Sequence, residues 1–237
     1  MHHYVYTSEG NPPEDATHVS IHKSITVIPE KLFSQHPNII ELICHINVKK
    51  IEEEAFYCCP RLKRLVMPGV EEMEWGAFLE CEAIEHIECE QLEIIRPYAF
   101  SDCTSLGNID LPSAKIVERG AFDNCTSLSD VKFGRNLESI GQGAFYIDTN
   151  LIRIQIPLKN DLFNYADNNY ADNDVFVGCG EFREVGLVDE ATIYETADAL
   201  LLDEWKNDMN QEIDSINKIL PNVDAGGDDE DHVGDKR

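Results

Sequence analysis

Positive charge is what this sequence most lacks. Lysine and arginine together number 19 against 45 aspartates and glutamates, a formal charge of −26. A chain so acidic repels nucleic-acid phosphates and anionic lipid headgroups, so neither nucleic acid nor a membrane is expected as a direct partner. Long apolar runs are missing too. No window approaches the roughly 18 consecutive apolar residues of a spanning helix, and Met1-His-His-Tyr-Val-Tyr-Thr-Ser-Glu-Gly10 has no basic segment followed by an apolar one. The expected location is the cytoplasm.

Signatures of catalysis are equally scarce. There is no phosphate-cradling glycine loop, no Gly-x-Ser-x-Gly elbow and no His-Glu-x-x-His helix; Gly141-Gln-Gly143 is a pair of glycines inside a recurring turn. His22, His45 and His86 have no nucleophile or carboxylate at a shared position outside the repeat pattern. None of the eight cysteines forms a Cys-x-x-Cys pair, and without an export signal they read as thiols of a reducing compartment. The expectation is a non-enzyme with no metal and no cofactor.

What the sequence does have is repetition. Ala-Phe recurs at Ala55-Phe56, Ala77-Phe78, Ala99-Phe100, Ala121-Phe122 and Ala144-Phe145, with Phe spacings of 22, 22, 22 and 23. The register extends back by 23 to Phe33 and forward by 31 to Phe176. Three residues after each Phe the column reads His36, Cys59, Cys81, Cys103, Cys125, Asp148, Cys179. Positions nine and eleven after it are apolar throughout, from Leu42 and Cys44 to Val185 and Leu187, with a variable residue between. Alternation of period two predicts one short strand per repeat, buried on one face. Strands recurring in one orientation stack as a parallel sheet, about 4.8 Å per repeat. A repeat buries about six apolar side chains at roughly 2 kcal/mol each, against about 1–2 kcal/mol of ordering cost for every residue. No repeat folds alone, so stacking is obligatory.

Segments such as Ala99-Phe-Ser-Asp-Cys-Thr-Ser-Leu106 and Ala121-Phe-Asp-Asn-Cys-Thr-Ser-Leu128, with Ile109-Asp-Leu-Pro112, resemble the BspA-like, Treponema-type leucine-rich repeats. The resemblance covers about residues 17–188. It implies a leucine-rich-repeat solenoid of about seven repeats, and a role in binding other proteins or, in exported members, in surface adhesion. The start, Tyr4-Val-Tyr with Thr17-His-Val19, and the end, Trp205 to Pro221, resemble intracellular microalgal members of this class. Around the solenoid the expected layout is a lead-in over 1–16, an amphipathic helix over 189–221 and an acidic, disordered tail over 222–237.

Two segments break the period. The insertion 159–174 carries the tandem Asn164-Tyr-Ala-Asp-Asn168 and Asn169-Tyr-Ala-Asp-Asn173, expected as an exposed loop. Asp161, Asp167, Asp172 and Asp174 suggest calcium, but their spacing matches no EF-hand and no glutamate closes a bidentate position, so the plain loop is preferred. In the second segment Ile193, Ala197, Leu201, Trp205, Met209, Ile213, Ile216 and Leu220 mark one helical face, with Thr192 and Glu195 as a capping box and Pro221 as the stop. Capping of the last repeat is preferred over recruitment of a partner helix, because an uncovered sheet edge invites aggregation.

The cysteine column reads as a buried structural ladder, with Cys58 beside it as the exposed, reactive thiol. Function is then left to the outward strand columns, which vary in charge and size while the inward ones do not. Arg64, His86, Glu88, Asp110, Lys132 and Arg153 are the candidate partner-binding residues. The expected protein is a monomeric, non-enzymatic protein-binding scaffold; the alternative is a secreted or cell-surface adhesin.

Overall fold

The computed structural model describes residues 2–8, 10–157, 159, 162–163 and 175–188, and the backbone of 193–195. All lie within the unit Met1–Ala199. The alternating positions form the expected ladder, whose rungs are β1 (His3–Tyr6), β2 (His18–Ile21), β4 (Glu41–Ile43), β6 (Arg64–Val66), β8 (His86–Glu88), β10 (Asn108–Leu111), β12 (Asp130–Phe133), β14 (Arg153–Ile156), β15 (Glu184–Leu187) and β16 (Ile193–Glu195). Repeat columns become register: Glu41 lies opposite Arg64, Arg64 opposite His86, and Asp130 opposite Arg153. Inward residues such as Leu42, Leu65, Val131 and Ile154 are fully buried.

One strand per repeat was expected, and the structure has two. A second parallel sheet joins β3 (Val27–Ile28), β5 (Lys50–Ile51), β7 (Glu72–Met73), β9 (Ile94–Ile95), β11 (Ile116–Val117) and β13 (Ser139–Ile140). Its inward column, five before each Phe, is Ile28, Ile51, Met73, Ile95, Val117 and Ile140, all buried. Two residues are too few to show a period of two; only stacking against the neighbouring repeats gives them ladder partners.

Between the sheets the seven phenylalanines stack with ring centroids 4.8–5.6 Å apart and planes within 9° of parallel. The stack crosses the insertion unbroken, Phe145 to Phe176 at 5.6 Å. Each Phe from Phe33 to Phe145 sits between two left-handed residues, and a left-handed Gly178 follows Phe176. Lys31, Glu54, Gly76, Tyr98, Gly120 and Gly143 precede it by two, and Gln35, Cys58, Glu80, Asp102, Asn124, Ile147 and Gly178 follow by two, all at positive φ. That conformation costs a non-glycine residue roughly 1–2 kcal/mol. The compensation is directional: Glu54, Phe56 and Cys58 aim their N–H groups at the carbonyls of Trp75, Ala77 and Leu79 in the next repeat, at 3.0, 2.9 and 2.8 Å.

The cysteine column has a matching role. The thiols of Cys59, Cys81, Cys103, Cys125 and Cys179 donate to the carbonyls of Phe33, Phe56, Phe78, Phe100 and Phe145, at 3.0–3.5 Å. A small side chain with a weak donor suits a buried carbonyl. Asp148 breaks the series. It is fully buried, its Oδ1 accepts the Cys125 N–H at 2.7 Å, and its Oδ2 has no partner. Burial, opposed by that amide hydrogen bond and aided by the charge of Asp123, pushes its carboxyl up to about 9.

The ends depart from the expected layout. The lead-in contains a rung: β1 pairs with β2 in register His3 to His18, and Tyr6 packs edge-on against Phe33 at 5.9 Å. In the insertion, Leu162 and Phe163 extend the second ladder, with the Ile140 N–H donating to Leu162 at 2.7 Å. The Asn-Tyr-Ala-Asp tandem and the four aspartates weighed for calcium lie outside the described residues. Ile193–Glu195, expected in the first turn of a helix, are instead a strand antiparallel to β15. The open edge of β15 offers these residues ladder partners, and that outweighs the local capping-box pattern. The rest of the expected helix and the acidic tail lie outside the described residues.

Candidate partner-binding face

All six candidate residues lie on the outward side of the first ladder, and their side chains are 42–69% exposed. Strand alternation places them there, because the residues between them point into the core. The structure also pairs them from rung to rung. Arg64 lies between Glu41 at 3.3 Å and Glu88 at 2.7 Å, and the His86 ring nitrogen Nε2 is 3.0 Å from the same Glu88 oxygen. Lys132 lies 3.5 Å from Asp110. Arg153 is 3.7 Å from Asp130 and donates from Nε to Glu184 at 2.6 Å.

The same arrangement recurs along the second ladder, where Lys49 pairs with Glu71, Lys115 with Glu93, and Arg96 bridges Glu72 and Glu118. Exposed pairs of this kind contribute about 0–1 kcal/mol each. They hold side chains in fixed positions more than they hold the fold. The result on the strand face is a band of alternating charge, able to recognise a complementary polar surface. Among the described residues no three His, Cys, Asp or Glu side chains are grouped so as to hold a metal ion.

One feature of this face was not legible in the sequence. Between β8 and β10 the first ladder is interrupted: β8 pairs with β6 and β10 with β12, and no backbone hydrogen bond joins β8 to β10. Cys44 N–H donates to Val66 and Met67 N–H to Glu88, both at 2.8 Å, but the next bond in the series, from Cys89 to Asp110, is not made. The Cys89 thiol lies 4.0 Å from that carbonyl instead. Likewise His86 N–H donates to Lys63 at 3.1 Å, whereas Asn108 N–H makes no bond to Glu85. The split is local, since Phe78 still stacks on Phe100 at 5.5 Å and Ile94 still pairs with Ile116.

Glu88 and Asp110 occupy the same outward column in consecutive rungs, but Glu71 and Glu93 do so beside the second ladder without parting it. Gly107, just before β10, has no side chain to pack there, and a Cβ at that position would meet nothing within 4 Å. The opening is a cleft of about 650 Å³ lined by His86, Ile87, Glu88, Glu90, Asn108 and Asp110, among others. It leaves the inward residue Ile87 partly exposed, unlike Leu65 and Val131 in the same column.

Cys58, expected as the reactive thiol, is partly exposed, but it sits in the left-handed turn position beside Glu80. Burial first, then the Glu80 carboxylate, raise its thiol above the ordinary range, so it is accessible without being activated.

The BspA type leucine rich repeat region matches in six copies, over residues 14–102 and 72–196. Among solved structures, a leucine-rich repeat protein from Bacteroides ovatus ATCC 8483 is 18% identical with a TM-score of 0.49, covering 76% of this chain and 53% of its own. The T. pallidum leucine rich repeat protein is 21% identical with a TM-score of 0.46, covering 71% of this chain and 68% of its own. A leucine rich cell surface protein from Faecalibacterium prausnitzii A2-165 is 17% identical with a TM-score of 0.34, covering 75% of this chain and 61% of its own. The chain thus spans about half the length of the first of these. No curated protein matches it.

Proposed function

Because the chain belongs to the BspA-type leucine-rich-repeat family, we propose that it is a non-enzymatic scaffold that binds a partner protein on the outward face of its first strand ladder. The observation that carries this reading is the contrast between columns. Inward positions keep one apolar character from rung to rung, while the outward ones run Glu41, Arg64, His86, Asn108, Asp130, Arg153 and Ile43, Val66, Glu88, Asp110, Lys132, Gln155 on a register locked by the phenylalanine stack. A rigid, chemically varied strip lets a partner be recognised with little ordering cost on this side. The test is an alanine block at Arg64, Glu88, Asp110 and Lys132, used as bait beside the parent protein after proximity labelling in the native cell. Loss of the labelled partner is expected; retention of every partner would remove the assignment.

The reading places the protein inside the cell, supported by eight free thiols, five of which donate to buried carbonyls and need to stay reduced. A surface adhesin would use the same strip, and labelling of the protein on intact cells would decide for that alternative.

A further inference from the structure

We propose that β1 is a docking edge for a second copy of this chain, the two β1 strands pairing antiparallel across a twofold axis at Tyr4. The monomer expected from the sequence is then one half of the assembly. The proposal is independent of the strand-face reading and leaves that face uncovered. β1 pairs with β2 on one side, and among the described residues no strand lies on its other. The carbonyls of His2 and Tyr6 point toward β2, where they accept from the N–H groups of His18 and His22 at 3.2 and 3.0 Å. Alternate residues of a strand point the other way, so the N–H and C=O groups of His3 and Val5 face the open edge, and none of them has a partner among the described residues. Natural edges are kept from pairing by charge, proline or a bulge. His3-Tyr-Val-Tyr6 has no lysine, proline, aspartate or glutamate, and its register with β2 runs without a bulge. Its tyrosines and valine favour an extended chain.

A second copy fits this edge in one register. With Tyr4 opposite its own counterpart, His3 faces Val5 and Val5 faces His3, and each such pair exchanges both its N–H···O bonds. Every open group of both copies is then satisfied. The inward side gains as well. Tyr4 is only partly buried, whereas Val19 and Leu42, next in its column, are closed off by the rungs on either side. Two Tyr4 rings on the axis cover each other, as cross-strand aromatic pairs do. Charge favours this end of the solenoid for a contact with itself. Of the formal −26, residues 1–40 hold −2, four acidic side chains against two basic ones. Two copies meeting there avoid the repulsion that the rest of so acidic a chain would bring. The contact is isologous and closed, and because the axis stands normal to the sheet, the outward columns of both copies lie on one side of a continuous ladder.

The test is sedimentation velocity of the full chain across micromolar concentrations, with its thiols reduced. A monomer–dimer equilibrium is expected. Val5→Pro removes an edge N–H that makes no bond within the chain, so it should keep the fold and weaken dimerisation at least tenfold. Ile43→Lys, at the exposed position two rungs along the same outward column, should leave dimerisation unchanged. Register is read separately by cysteine substitution and exposure to oxidised glutathione. Tyr4→Cys should cross-link two copies well above the level of the parent chain, since residues opposite each other there have Cα atoms about 4.5 Å apart, within disulfide reach. His3→Cys and Val5→Cys should not. A parent chain that is monomeric at every concentration would overturn the proposal. So would equal loss from Val5→Pro and Ile43→Lys, which would put the contact on the strand face, or cross-linking through His3→Cys as readily as through Tyr4→Cys. Protection of the Val5 amide from exchange only when a different protein is bound would give the edge to a foreign strand and overturn it too. Should Val5→Pro unfold the chain, the cysteine series decides alone.

Discussion

Replacing Asp148 by asparagine should stabilise the protein at neutral pH, by an amount that grows as pH rises. In the unfolded chain an aspartate titrates at about 3.9; in the folded protein burial pushes Asp148 up to about 9. Between those values the folded state holds a proton that the unfolded state has released. Stability is therefore full below about pH 4 and falls by about 1.4 kcal/mol per pH unit until the folded carboxyl itself ionises. From pH 5.5 to 8.0, about 2.5 units, the parent protein should lose about 3 kcal/mol relative to a variant that cannot ionise there. Asparagine keeps an oxygen for the Cys125 N–H, bonded at 2.7 Å in the parent, and offers an amide where Oδ2 now has no partner. The measurement is urea unfolding followed by far-ultraviolet circular dichroism, parent and D148N side by side at half-unit steps. The remaining carboxylates are common to both chains and cancel in the difference. A difference that stays flat over this range would show that Asp148 is ionised and hydrated in the folded protein, refuting the argument. Asp148→Cys, which restores the column's thiol, should remove the pH-dependent loss in the same way.

Three further outcomes follow from the same geometry. Ile147, a β-branched residue at φ 58°, carries the most strain of the turn column; I147N should raise stability by about 1 kcal/mol, read as a higher urea midpoint with an unchanged slope. Phe100 is stacked on both sides, at 5.5 and 5.4 Å, and is fully buried; F100A should cost about 3–5 kcal/mol and lower the melting temperature more than truncation of an end member such as Phe33. In the native protein a maleimide should modify Cys58 and Cys179, the two thiols that are not buried, before the other six, with the Cys58 rate still rising above pH 9. Labelling of Cys103 at a comparable rate without denaturant would contradict the closed core.

Much of this architecture was readable because a solenoid repeats its constraints. Each buried column is specified anew in every repeat, so Leu42, Leu65, Val131 and Ile154 announce one ladder together where any one of them alone would not. The Ala-Phe register even survives the insertion and places Phe176 on the stack. The sequence alone thus determined the parallel strand ladder, the phenylalanine register and the outward positions of Arg64, His86, Glu88, Asp110, Lys132 and Arg153. It did not show the second ladder, since two-residue strands carry no period and gain partners only when repeats stack. It also misplaced Ile193–Glu195, where an open sheet edge outweighed a helical pattern. Only the tertiary structure decided that the outward charges pair across rungs and that the ladder parts between β8 and β10. Column chemistry is local and repeats along the chain, whereas hydrogen bonds and ion pairs between rungs exist only once the rungs are stacked and are nowhere in the linear sequence.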